Sequence, residues 1–217
     1  MKISANQFIE YFKKVINMIE EKKDYLCELD RKLGDGDHGV TMSIGWQAVN
    51  QKIENELKDE EDCSTISLTV GKTFLSAVGS SVGPLYATGF MRGAKVVKGK
   101  SELTEKDLVD YWVAFAKGIK ERGQAEVGDK TMVDTLEPFF IELEAKFKET
   151  NDFIISFTTA VEKAKEGMES TKDLLSKRGR SSRLGNRSIG AQDPGATSAY
   201  YILSTFLSLL ENKLQSS

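Results

Sequence analysis

What the chain has little of narrows the reading first. There are only two cysteines, Cys27 and Cys63, far apart and in no metal-type pair. Cysteine used so sparingly reads as reduced and incidental, as in a cytoplasmic protein. The formal net charge is −3, which argues against nucleic acid as the main partner. No apolar run approaches the ~20 residues that cross a bilayer. The longest, Ala199 to Leu210, is interrupted by Ser204, Thr205 and Ser208, so no membrane association is expected. Met1 to Glu10 lack the basic-then-apolar pattern of a signal peptide. Strand-like alternation, internal repeats and low-complexity linkers are missing. So are the glycine-rich phosphate signatures G-x-x-x-x-G-K-[ST] and strand-borne G-x-G-x-x-G. A nucleotide bound here needs a helical scaffold of another kind.

What is present is helical spacing, in a soluble balance of 40% hydrophobic and 29% charged residues over 217 positions. Ser4 with Gln7 forms a capping-box pattern, and Phe8, Phe12, Val15 and Ile19 follow as one apolar stripe. Asp24 to Asp30 reads as a second short helical piece, broken by the Gly34–Gly39 loop. Helix resumes with Met42, Trp46, Val49, Ile53 and Leu57, and Lys58 to Asp62 is a charged connection. Ser64 or Thr65 is expected to cap the next helix, which stops at Val78–Gly83. Pro84 suits the first position of the helix through Leu85, Phe90, Met91 and Val97. Thr104 with Asp107 opens another, ended by Gly123. Gly128 to Thr131 precede a helix with Met132, Leu136, Phe139, Phe140, Leu143 and Phe147, in which Pro138 is a candidate kink. Asp152 begins a long helix, Lys177 to Gly195 is a polar loop, and the last helix runs from Ala196 to about Leu214. The expected fold is all-α, one domain over residues 1–217: an antiparallel barrel or bundle of about eight helices.

Three segments carry candidate chemistry. Asp30, Asp35 and Asp37 crowd around a glycine turn and repel one another unless a cation holds them. Oxygen-only ligation favours Mg²⁺ or Ca²⁺, and the spacing misses the calcium register of an EF-hand. An acidic surface turn is the competing reading. His38, the only histidine, stands as a general base, a phosphate donor or a helix-start residue, with no nucleophile beside it. Val78 to Leu85 is the second segment. Its small residues leave backbone N–H groups open to an anion and Ser80 and Ser81 add hydroxyls, although a plain helix–helix turn fits as well. The third holds Lys177, Arg178, Arg180, Arg183 and Arg187 with no acid before Asp193. Arginine forks suit phosphate, and the lack of interleaved aromatics argues against RNA.

Gly34-Asp35-Gly36-Asp37-His38-Gly39, the Gly79-Ser80-Ser81…Gly83-Pro84-Leu85-Tyr86 segment, Gly128-Asp129-Lys130-Thr131-Met132 and Arg187-Ser188-Ile189-Gly190…Asp193-Pro194-Gly195-Ala196 occur in this order over most of the chain. Together they strongly resemble the nucleotide-binding L subunit of phosphotransferase-dependent dihydroxyacetone kinase. The resemblance implies an eight-helix antiparallel barrel with a nucleotide at one end. It implies two Mg²⁺ ions on Asp30, Asp35 and Asp37, and nucleotide contacts from His38, Gly39, Val40 and Thr41. Ser80 and Ser81 match the phosphate loop, Gly123 and Met132 the adenine border, and Arg180, Asp193, Pro194 and Gly195 the closing wall. In that family ADP is a retained coenzyme, rephosphorylated by a phosphocarrier M subunit. The ATP formed serves a K subunit that holds dihydroxyacetone. The implied activity is therefore a cytoplasmic phosphotransferase, active only with partner subunits.

Three departures from the family pattern stand out. Val82 replaces a common serine, Ser181-Ser182-Arg183 replaces Ala-Ser-Tyr, and Ala191 replaces histidine. The alternatives are a paralogous sugar kinase subunit, or an ADP-loaded module that docks on a transcription regulator without turnover. A fatty-acid kinase domain is a further option, disfavoured because that arrangement carries domains after the barrel.

Overall fold

The computed structural model describes residues 1–215. It contains α1 (Ala5–Arg31), α2 (His38–Lys52), α3 (Cys63–Ala77), α4 (Val82–Val96), α5 (Glu105–Gly123), α6 (Val133–Thr150), α7 (Phe153–Ser170) and α8 (Pro194–Gln215). Each helix packs on its neighbours in sequence, and α8 packs back on α1, so the expected all-α arrangement closes into a ring. Up-and-down order gathers the ends of the odd helices and the starts of the even ones at one pole. Their connections, 32–37, 78–81, 124–132 and 171–193, converge there.

The ring is filled with aromatic side chains. Phe12 and Phe90 lie 5.6 Å apart between centroids, Trp46 and Phe90 5.7 Å, and Trp112 and Phe206 5.1 Å, all in tilted or edge-on arrangements. Each such ring contributes about 2 kcal/mol on burial. The core tyrosine hydroxyls are satisfied across helices. Tyr11 donates to the Ile202 carbonyl at 3.0 Å, joining α1 to α8. Tyr111 meets Ser67 at 2.8 Å, which donates to the Phe90 carbonyl at 2.7 Å.

Local chemistry sets the element ends, in places differently from the sequence expectation. Ser4–Gln7 and Thr104–Asp107 are complete capping boxes. The two expected pieces before the first glycine loop are one 27-residue helix, α1. The charged residues between them are good helix formers with an outer face to occupy. Asp62, rather than Ser64 or Thr65, caps α3, its carboxylate accepting from both of their backbone N–H groups. Helix α4 begins two residues before Pro84, at Val82 with Ser81 as N-cap, where the missing proline N–H is equally harmless. Helix α2 runs on into one π turn, Ile53–Leu57, and Arg180–Ser188 is a 3₁₀ segment within the polar loop. A two-stranded antiparallel sheet joins β1 (Lys2–Ser4) to β2 (Glu102–Thr104), with Ile3 opposite Leu103. At three residues each, these strands are too short to show an alternation in sequence.

Pro138 lies inside α6 and leaves the Asp134 carbonyl without its i+4 donor. Gly167 of α7 is pressed against that carbonyl; a Cβ there would sit 1.9 Å from the oxygen. The vacancy in the ladder and the glycine facing it let α6 and α7 approach closely.

Candidate functional site

All four connections at this pole line a cavity of about 690 Å³. The starts of α2, α4, α6 and α8 surround it, directing their positive dipole ends toward its interior.

The acidic wall comes from the α1–α2 turn. Asp30, on the last turn of α1, accepts from the Asp37 N–H at 2.8 Å and the His38 N–H at 3.1 Å, and so caps α2 from the preceding helix. One carboxylate oxygen from each of Asp30, Asp35 and Asp37 lies within 4.8 Å of the others. Burial, reinforced by Asp30, raises the Asp37 pKa above the usual carboxylate value. The guanidinium of Arg180, far along the chain, pairs with Asp35 across the cavity mouth. Three close carboxylates that already attract a cation fit a hard metal ion.

His38 is 7% exposed, and burial pushes its pKa down to about 4, so the imidazole is neutral near pH 7. Its Nε2 lies 2.9 Å from the Ser198 hydroxyl, which lies 2.7 Å from the Tyr86 hydroxyl. The ring thus ties α2 to α8 and α4, and this favours positioning over acid–base work. Of the four residues His38 to Thr41, His38 and Thr41 line the cavity. Gly39 instead faces α1, where a Cβ would lie 1.9 Å from the Lys23 carbonyl, and Val40 is exposed.

Opposite the acidic turn stand Ser80, Ser81 and Val82. The Ser80 Oγ is buried without a hydrogen-bond partner, and Ser81 makes no side-chain cap to α4. An oxyanion would satisfy both these donors and the open N–H groups of the helix start. Beyond them Leu85, Ile119, Gly123, Ala125, Met132 and Val133 form an apolar recess of a kind that accepts a flat ring.

Asp193, Pro194 and Gly195 complete the wall. Asp193 caps α8 by accepting from the Ala196 N–H at 2.8 Å, with Pro194 at the first helical position. It is 9% exposed, and burial raises its carboxyl pKa to about 7. Lys130 also lines the cavity, a residue the sequence motif contained but did not single out. Its role depends on contacts with a loop more than 40 residues away, for which the sequence holds no signal.

Among the described residues, no helix is long and apolar enough to cross a membrane. The DAK2 domain family matches residues 32–208. The chain is 38% identical over 195 residues to the PEP-dependent dihydroxyacetone kinase 2 ADP-binding subunit DhaL of Listeria innocua, covering 89% of each chain. It is 34% identical over 203 residues to the corresponding DhaL subunit of Escherichia coli, covering 94% of this chain and 96% of that one. Its fold is similar to the crystal structure of the C. freundii dihydroxyacetone kinase in complex with AMP-PNP and Mg²⁺, with a TM-score of 0.70 at 22% identity. That match covers 92% of this chain and 33% of the kinase. With one family matched over most of its length and two relatives above 30% identity that it covers almost entirely, the chain belongs to the DAK2-domain family, alongside the ADP-binding L subunits of PEP-dependent dihydroxyacetone kinases.

Proposed function

We propose that residues 1–217 act as one nucleotide-binding L-type domain, a cytoplasmic subunit. It transfers the γ-phosphoryl group of Mg-bound ATP to dihydroxyacetone or a similar short keto-sugar held on a partner K subunit. ADP remains as coenzyme, and a phosphocarrier M subunit recharges it. The observation that carries this reading is the pairing, across one cavity, of a three-carboxylate cluster with an unsatisfied serine at a helix start.

Asp30, Asp35 and Asp37 would hold two Mg²⁺ ions, which neutralise polyphosphate charge when bound. Ser80 and Ser81 would donate to phosphate oxygens, and Arg180 would turn from Asp35 to the same group. The recess between Gly123 and Met132 would take the adenine, with His38, Thr41, Asp193, Pro194 and Gly195 fixing the nucleotide. Gly39 would serve by letting α2 approach α1, and Val40 would meet the ligand only through its backbone. Phosphoryl transfer needs position and charge neutralisation more than a covalent partner. The neutral, tied His38 fits a site whose acceptor comes from another chain.

Mixing the protein with Mg-ATP, a K subunit and dihydroxyacetone should give single-turnover phosphate transfer, and Asp35→Ala should abolish it. No transfer by the unmodified protein would overturn the reading. The second reading, an ADP-loaded module docking on a transcription regulator, draws on exposed Arg183 at the rim. Tight ADP binding without rephosphorylation, together with a stable regulator complex, would favour it.

A further inference from the structure

Among the described residues, Lys130 is the one lysine whose side chain is buried, at 1% exposure, and nothing in the phosphate chemistry above uses it. The turn that carries it is held by Asp134, which accepts from the Gly128 N–H at 2.7 Å and the Thr131 N–H at 2.8 Å. The Lys130 backbone is left-handed, with φ 63°, a conformation lysine adopts rarely. That turn drives the side chain beneath the arginine loop. Its ammonium donates to the carbonyls of Leu174 at 3.2 Å, Ser188 at 2.6 Å and Ala191 at 2.6 Å.

An ammonium has three N–H donors, and here all three are used on backbone. Lys130 is therefore not free to donate to a phosphate as well. Its three acceptors lie at the beginning and end of the segment that carries Arg180, so one cation closes that segment on itself. Burial lowers its pKa, while Asp193, Asp173 and Asp134 favour its charged form. The adjacent Asp129 grips the same segment near its start. Its carbonyl accepts from the Lys177 N–H at 3.1 Å, and its carboxylate accepts from Arg178 Nε at 3.2 Å.

We infer that Lys130, assisted by Asp129, is a positioning residue: it clasps residues 174–191 so that Arg180 faces the three-aspartate cluster and Asp193–Gly195 close the cavity. The inference rests on the nucleotide reading given above. It assigns Lys130 to the loop and not to the ligand.

The test compares the full chain with Lys130→Met, Asp129→Asn, Arg180→Gln and the Lys130→Met/Arg180→Gln double variant. Amide hydrogen exchange in residues 174–192 should speed up about tenfold or more in the Lys130 and Asp129 variants, with α1 to α5 unchanged. Mg-ADP affinity by calorimetry should fall about tenfold or more in Lys130→Met. That loss should shrink clearly when Arg180 is already glutamine, leaving only the part that acts through Asp193–Gly195, because a residue acting through another is not additive with it. A structural defect unrelated to Arg180 would leave the two losses additive. Unchanged exchange in 174–192, or an undiminished Lys130→Met loss in the Arg180→Gln background, would overturn the inference. If Lys130→Met does not fold, Asp129→Asn carries the exchange test and Asp129→Asn/Arg180→Gln the coupling test. Should the unmodified chain fail to bind Mg-ADP, the nucleotide reading falls, and the exchange result alone decides whether Lys130 clasps the loop.

Discussion

Asp193 illustrates how one side chain is set by conflicting demands. It caps α8, where a negative charge is favoured, yet it is buried, where a negative charge is penalised. Burial dominates, and the carboxyl pKa rises to about 7. Between about pH 4, near the unfolded value, and pH 7 the folded chain holds a proton there that the unfolded chain releases. This residue's contribution to stability therefore declines as pH rises through that window and is flat above it. Asparagine keeps the capping oxygen and removes the titration. Asp193→Asn should gain on the unmodified protein as pH is raised from 4 to 7, by on the order of a few kcal/mol over that window. Urea unfolding across that range measures it, and a stability difference independent of pH would contradict the assignment. His38 shows the reverse arrangement. Burial keeps it neutral down to about pH 4, and it serves as a hydrogen-bonded tie between helices.

At the level of elements, the α6–α7 pair depends on a proline and a glycine meeting. Gly167→Ala would place a methyl group against the Asp134 backbone carbonyl, which cannot move aside as a side chain could. It should destabilise the protein by about 1–3 kcal/mol despite alanine's better helix propensity. Thermal unfolding checks this, and a neutral or stabilising result would show that α6 and α7 separate freely. Such a contact is not readable from the sequence, whereas much around it is. The capping boxes at Ser4 and Thr104, the stripe Phe8–Phe12–Val15–Ile19 and the stop at Gly123 depend on neighbours within one or two turns. The aspartate turn was legible for the same reason, its three carboxylates lying within eight residues. What was not legible depends on distant partners. The Arg180–Asp35 pair, the burial of Lys130 and the inward packing of Gly39 arise only once helices far apart in sequence are side by side. Family motifs placed Arg180 and Asp193 near the site, but the motif read as Gly-Asp-Lys-Thr gave no hint that its lysine binds a loop. The β1–β2 pair escaped because three residues cannot display a period.

For the whole molecule, the ring makes stability and ligand binding inseparable. Every wall of the cavity belongs to a different helix pair, from Asp30 on α1 to Gly195 on α8. A ligand that contacts the acidic turn, the serine loop and the α8 start together braces the ring where its charges conflict. Without a ligand, three carboxylates crowd one side with Arg180 set against Asp35, and Ser80 is left unsatisfied. Mg-ADP at a free concentration about 100 times its Kd should add about 2.7 kcal/mol. For a chain of this size that corresponds to an upward shift of roughly 5–10 °C in Tm. Trp46 on α2 and Trp112 on α5 both lie in the common aromatic core. Their fluorescence should therefore follow the same transition as helical circular dichroism, with and without ligand. Chelating the metal with EDTA should remove most of the shift, because ADP alone would bring its phosphates against three unscreened carboxylates. A shift that survives chelation would mean that the nucleotide is held by the serine and arginine walls alone, and the acidic turn would then lose its role as the metal seat.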